Sequence, residues 1–176
     1  MTSLDPVLME LDREAAITAR LLERIPEEHL AWKPHEKSMS LGQLAMHIAT
    51  TPGGIAAMLA GDSFQIDPAA AENPPGAASR AEILEAHRNS VAQAREFVAG
   101  LDEQRALAPF RLMAGAEELM AIPRIGVIRT VMLNHWYHHR GQLTVYLRLL
   151  NVAVPVVYGR SADESMFGPA AREASA

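Results

Sequence analysis

Three of the chain's seven histidines fall within five residues, at 135, 138 and 139, in the stretch LNHWYHHRGQLTVYL. Imidazole does two kinds of chemistry near neutral pH. As the neutral ring it ligates metals, and with an ordinary pKa of about 6.5 it also moves protons. A polar surface patch is the third reading. Residues four apart on a helix lie one turn apart on one face, so His135 and His139 can aim ring nitrogens at one cation. His138, three residues from His135, is within reach of it too. Such a pair is a modest signal, since two neutral core histidines have the same spacing. His47, in SLGQLAMHIAT, follows Leu44 by three and borders an apolar helix face. A bundle can bring it against the 135–139 segment as a third ligand. Gln43, one turn before His47, is a candidate hydrogen-bond partner for a ligand. Arg140 and Tyr158 can orient an anionic or polar substrate, or serve as a surface ion pair and a packing aromatic. His29, His35 and His87 read as solvated or structural.

Other chemistries are set aside by residue type. The chain has no cysteine. Disulfides, thiolate ligands and cysteine nucleophiles are excluded, and any metal must use His, Asp, Glu or water. Neither the Glu-x-x-His pairs of di-iron bundles nor His-Glu-x-x-His occurs. The Pro-Gly-Gly at 52–54 is too short for a phosphate loop and lacks the following Lys-Ser/Thr. No serine sits in an elbow motif. The net charge is −5 and the only lysines are Lys33 and Lys37. DNA or RNA as a partner is disfavoured, because nucleic-acid binding needs a basic face. No apolar run is long enough to span a bilayer. The N-terminus carries no basic region followed by an apolar run, so the expectation is a cytoplasmic protein without a signal peptide.

The elements that must position these residues read as helices. Hydrophobic residues make up 49% and aromatics only 5%, a mix that favours helix over sheet. The first helix spans about 6–25, with Asp5 as N-cap and Pro6 at the first helical position. The second starts near Leu41, where Ser40 and Gln43 form a capping box, and runs to Gly61 with a weak spot at 52–54. Residues 62–78, rich in Pro, Ala and Gly, read as a crossover loop. The third helix spans 79–99, with Ser79 and Glu82 as a second capping box and Gly100 as a stop. Residues 101–123 read as irregular or partly helical. The fourth helix spans 125–150, and Asn151 ends it. Its core-facing stripe is Ile128, Met132, His135, His139, Leu143, Tyr146 and Leu150. Gly141 inside this helix costs roughly 1 kcal/mol against Ala, a cost that close helix packing or room beside a metal would offset. The expected fold class is all-α, a helical bundle with one long crossover, in a single domain over 1–168 with a disordered tail at 169–176.

The run HWYHHRGQLTVYLRLLNVAVPVVYGRSADE resembles the signature end of the DinB/YfiT-like family of metalloenzymes. The matching residues are His135, His139, Arg140, Gly141, Gln142, Tyr146, Leu147, Arg148, Pro155, Tyr158, Gly159, Ser161 and Asp163. Upstream, IPEEHLAWKPHEKSMSLGQLAMHIA resembles the family's connector and second helix, with His47 in the place of the first ligand. The resemblance spans most of residues 1–168. It implies a four-helix bundle of up-down-down-up topology, often a homodimer. It implies a divalent-metal site at His47, His135 and His139, and so selects His139 over His138. Relatives include thiol-dependent S-transferases and a mycothiol-dependent isomerase. The implied function is a metal-dependent enzyme, S-transferase-like with a low-molecular-weight thiol, or hydrolytic. A non-catalytic dimeric module that holds metal or a small ligand is the alternative. Three imidazoles suit several metals, with zinc and nickel leading. The small-molecule substrate is not legible.

Overall fold

The computed structural model describes residues 4–66 and 75–165, so the expected tail at 169–176 lies outside the described residues. The chain is mostly helical. Helix α1 (Asp5–Leu22) starts with Pro6 in its first turn, but Asp5 is the first helical residue instead of the N-cap. Leu4 takes the cap position with no side-chain bond, and its own side chain is buried. Helix α2 (Leu41–Met58) has the full expected capping box: Gln43 N–H donates to Ser40 Oγ at 3.1 Å, and Ser40 N–H donates to Gln43 Oε1 at 2.9 Å. Helix α3 (Arg80–Ala99) keeps half of its box. Ser79 Oγ accepts from Glu82 N–H, while the Glu82 carboxylate reaches one residue further back, to Ala78 N–H at 2.7 Å.

Two regions depart from the all-α expectation. Residues 101–123 hold a short helix, α4 (Glu103–Leu107), and a hairpin of β2 (Pro109–Ala114) and β3 (Glu117–Pro123). The antiparallel register pairs Phe110 with Ile122 and Leu112 with Met120, with a bulge between Leu112 and Met113. Gly115 turns the hairpin at φ +60°, a conformation that suits a residue without a Cβ. The expected crossover loop contributes β1 (Ser63–Gln65), parallel to β2, giving a sheet of order β1-β2-β3. Alternation of Phe110, Leu112 and Ala114 about a glycine turn was the available signal, masked by an Ala- and Met-rich composition.

The segment expected as one fourth helix is a continuous helical run over 124–149, with a change of turn geometry inside it. Helix α5 (Arg124–Val127) leads into a π-helical stretch, Ile128–Asn134, and then into α6 (His135–Leu149). Asn151 ends α6 in the left-handed conformation, φ 58°, as expected. Each i→i+5 turn of a π-helix takes one residue more than an α turn. Beyond the π stretch the buried residues are Trp136, Arg140, Leu143, Tyr146 and Leu147, so of the expected stripe Leu143 and Tyr146 stay in the core. His135 and His139 are displaced from the core stripe to its half-buried flank.

Helix α2 packs against α3, α6 and the π stretch, and α1 against α3 and α6. The core between them includes Leu11, Leu21, Leu44, Ile48, Ile83, Val98, Met132 and Trp136, all fully buried. Arg124, also buried, closes the far end of α2. Its guanidinium donates to the carbonyls of Leu59 (3.3 Å) and Gly61 (2.7 Å) and pairs with Asp62. Those carbonyls lack helical donors, so a buried cation finds its partners where the helix leaves acceptors open.

Candidate metal centre

One ring nitrogen from each of His47, His135 and His139 lies within 4.8 Å of the other two. α2 supplies His47 and the first two turns of α6 supply the pair, so the centre bridges two helices. The ring centroids of His47 lie 5.2 Å from those of His135 and 4.5 Å from those of His139, edge to face in both cases. The Nε2 atoms of His135 and His139 are 2.7 Å apart. Two lone pairs at that distance repel, so either a proton lies between them or both face a cation.

Burial is the leading cause that holds all three imidazoles below the usual histidine pKa. For His47 the neighbouring His135 adds to it, and for His135 the neighbouring His138 does, partly offset by the Val131 carbonyl. His139 is pushed down to about 4, against a hydrogen bond with Gln142 that raises it and the other histidines that lower it. All three rings are therefore neutral at pH 7, the form that ligates metal.

The donor set fits a divalent ion. His139 Nδ1 lies 2.8 Å from Gln142 Oε1. An amide oxygen only accepts, so Nδ1 carries the proton and Nε2 keeps its lone pair for a ligand bond. His135 Nδ1 is buried without a hydrogen-bond partner. While Nε2–H of His135 donates to His139, that Nδ1 lone pair stays orphaned. Were Nε2 given to a cation, the ring proton would sit on Nδ1 instead. Nitrogen–metal bonds of ~2.0–2.1 Å place ligand nitrogens roughly 3 Å apart, within the spread of this cluster.

The remaining candidates go elsewhere. Gln43 spends its amide oxygen on the Ser40 N–H at the start of α2. His138 is exposed, its ring 4.9 Å from that of His139. Arg140 is neither a substrate clamp at the cluster nor a surface ion pair. It is 1% exposed and pairs at 2.5 Å with Glu14 of α1, itself 4% exposed. It also donates to Thr18 Oγ1 and to the Tyr158 hydroxyl, and lies 5.0 Å over the rings of Tyr137 and Tyr158. Tyr158 donates in turn to Glu14 at 2.8 Å, and burial with that bond raises its pKa to about 12. His29 and His35 are exposed. His87 is buried, with Nε2 3.1 Å from the Ala15 carbonyl.

The rest of the C-terminal signature pins the chain after α6. Asp163 pairs with Arg148 and accepts from Val154 N–H; Ser161 Oγ donates to the Val154 carbonyl and accepts from Asp163 and Glu164 N–H. Glu164 pairs with Arg20 and Arg24 of α1. Sequence reasoning missed Glu14 and Trp136, and it matched Gln142 to the family signature without giving it a role. Gln142 stands three residues after His139, and Glu14 completes the row Leu11–Glu14–Thr18–Leu21, so spacing carried a signal for both. A Cβ at Gly141 would meet nothing within 4 Å, so close packing within the described chain does not explain that glycine.

Known proteins resemble this chain in sequence and in fold. The chain is 27% identical over 162 residues to the uncharacterized protein YrdA of Bacillus subtilis (strain 168), covering 92% of each. A DinB-like protein of Bacillus cereus ATCC 10987 superposes with a TM-score of 0.68 at 24% identity, covering 86% of this chain and 95% of that one. The DinB-like protein YjoA of B. subtilis gives 0.66 at 19% identity, covering 88% and 97%. A DinB-family member from Exiguobacterium sibiricum 255-15 gives 0.65 at 19%, covering 89% and 97%. At these identities the structural likeness establishes the fold. The DinB family model matches residues 1–173, and the chain belongs to the DinB family.

Proposed function

We propose that this chain is a metal-dependent enzyme in which His47, His135 and His139 hold one divalent ion, zinc or nickel. The observation that carries the reading is the convergence of three neutral imidazole nitrogens within 4.8 Å from two helices. A divalent ion there supplies Lewis acidity, lowering the pKa of a coordinated water or small thiol. The chain's own residues do the rest. Gln142 holds the proton on His139 Nδ1. His138 is exposed beside His139, its ring 4.9 Å away, and is the residue we assign to the substrate side of the centre. Thiol-dependent group transfer or hydrolysis are the reaction classes we assign, and a chain without cysteine needs its sulfur from a small thiol.

We further read residues 1–168 as one domain, a four-helix bundle of up-down-down-up order built from α1, α2, α3 and the α5–α6 rod. A homodimer is supported by the outer face of α6, where Val145 and Leu149 are each 57% exposed beside the open Gly141. No helix among the described residues is long and apolar enough to cross a membrane. We read the chain as cytoplasmic, with neither membrane nor nucleic acid as partner, on that observation and a net charge of −5.

Metal content by mass spectrometry tests the centre. The wild type is expected to carry close to one equivalent, and His135→Ala/His139→Ala none. A wild type that stays metal-free after supply of Zn and Ni would sink the reading. Metal retained alongside inactivity in thiol-transfer and hydrolysis assays would leave a binding module.

A further inference from the structure

Helix α2 is continuous from Leu41 to Met58 although Pro52 lies inside it. Proline has no N–H, so the carbonyl four residues earlier, that of Ile48, loses its helical donor. Ile48 is fully buried and water cannot replace that donor cheaply. The indole Nε1–H of Trp136 fills the gap, donating to the Ile48 carbonyl at 2.9 Å. Trp136 is also fully buried, and its N–H can only donate. Each group satisfies a partner that would otherwise be orphaned. Trp136 directly follows His135, and Ile48 directly follows His47. The bond thus joins the neighbours of ligands on the two helices that must face each other.

The same break docks α3. Gly53 N–H donates to Ser90 Oγ at 2.7 Å, and a Cβ at Gly53 would lie 2.9 Å from Ser90 Cα. α2 is thereby held against turning while α6 is registered on it. Pro52 and Gly53 are a docking notch in the core, which accounts for these two residues without a phosphate.

We propose that Pro52 and Trp136 form a register lock, and that Trp136 is a positioning residue for the three-histidine centre. The missing N–H of Pro52 makes one carbonyl of α2 the favoured acceptor for one donor of α6. Sliding α6 by a residue would orphan both groups and carry His135 and His139 away from His47. The affinity part of this inference rests on the metal reading above; the register part does not.

The test is a double-mutant cycle on the full chain. Trp136→Phe removes the donor and keeps a core aromatic. Pro52→Ala returns a backbone N–H to Ile48 and makes the indole donor dispensable. Two readouts are taken: Zn(II) affinity, and nuclear Overhauser cross-peaks between the His47 and His139 rings in metal-free protein. The expected result for Trp136→Phe is a loss of affinity of roughly 10- to 100-fold, the range for groups that orient metal ligands, with weakened cross-peaks. In Pro52→Ala/Trp136→Phe most of both losses should be recovered. Equal losses in the two backgrounds, or a Trp136→Phe protein with unchanged affinity and cross-peaks, would overturn the lock and leave Trp136 a packing residue. A wild type that binds no Zn(II) would sink the metal reading alone, and the cross-peaks then decide the lock. Should Trp136→Phe not fold, a variant with benzothiophene in place of the indole keeps the bicyclic shape and answers the same question.

Discussion

The amide oxygen of Gln142 fixes the tautomer of His139, and that is a residue-scale effect with a residue-scale test. Without it, Nδ1 and Nε2 compete for the proton and the ligand nitrogen is free only part of the time. Gln142→Ala is expected to weaken Zn(II) binding roughly tenfold, the lower end for such partners, with thermal stability of the metal-free protein nearly unchanged because Gln142 is exposed. Titration calorimetry with Zn(II) measures it. Unchanged affinity would show that the 2.8 Å contact does not set the tautomer. At this scale much was legible in the sequence. The spacing of His135 and His139 and the apolar flank of His47 named the cluster, and the family resemblance chose between His138 and His139. Gln43 shows the limit. One turn before a ligand is the right place for a supporting group, but a capping box used the same side chain first.

Between elements, the buried Glu14–Arg140 pair ties α1 to α6. Removing one partner strands a charge in the core, which costs about 3–5 kcal/mol, whereas replacing both by apolar groups of similar volume is often neutral. Arg140→Ala is therefore expected to destabilise severely, and Glu14→Leu/Arg140→Met far less. Urea unfolding of both variants measures the difference. Equal destabilisation would mean that the aromatic contacts of Arg140 matter more than its charge. The hairpin has its own test. Gly115→Val puts a β-branched side chain at φ +60° and should cost upwards of ~1 kcal/mol, read as a lower urea midpoint. Periodicity found α1, α2 and α3, and the serine caps of α2 and α3 were legible because local bonds set them, while the cap of α1 fell on Leu4 and not on Asp5. It treated 125–150 as one phase, and the π stretch broke that assumption. It saw no strand in 101–123, because β2 and β3 each stabilise the other across the hairpin.

For the whole molecule, the depressed imidazole pKa values turn into a pH dependence. His47, His87, His135 and His139 all titrate below the ordinary value, burial being the first cause in each. As pH falls below about 6.5 the unfolded chain takes up protons that the folded chain refuses until about 4 for His139. The metal-free protein should therefore lose stability across that window, by about 1–2 kcal/mol from the half-exposed His139 after allowing for solvent screening. Urea midpoints between pH 7 and pH 4 measure it, and His139→Gln should flatten the curve. Zn(II) at a hundred times its Kd should raise stability by about 2.7 kcal/mol at pH 7, reversed by a chelator. A pH-independent midpoint would mean that the rings are more solvated than they stand here. The sequence by itself determined what depends on neighbours along the chain: helix starts and stops, the residue types able to hold a metal, and the exclusion of cysteine chemistry. Tertiary structure alone decided which polar side chains are buried. Arg140, open by its type to a substrate-orienting or a surface role, is buried with Glu14 once two helices close over them. It also decided what α6 presents to α2, because that face depends on a π turn, on the N–H that Pro52 lacks, and on an indole 88 residues away that supplies it.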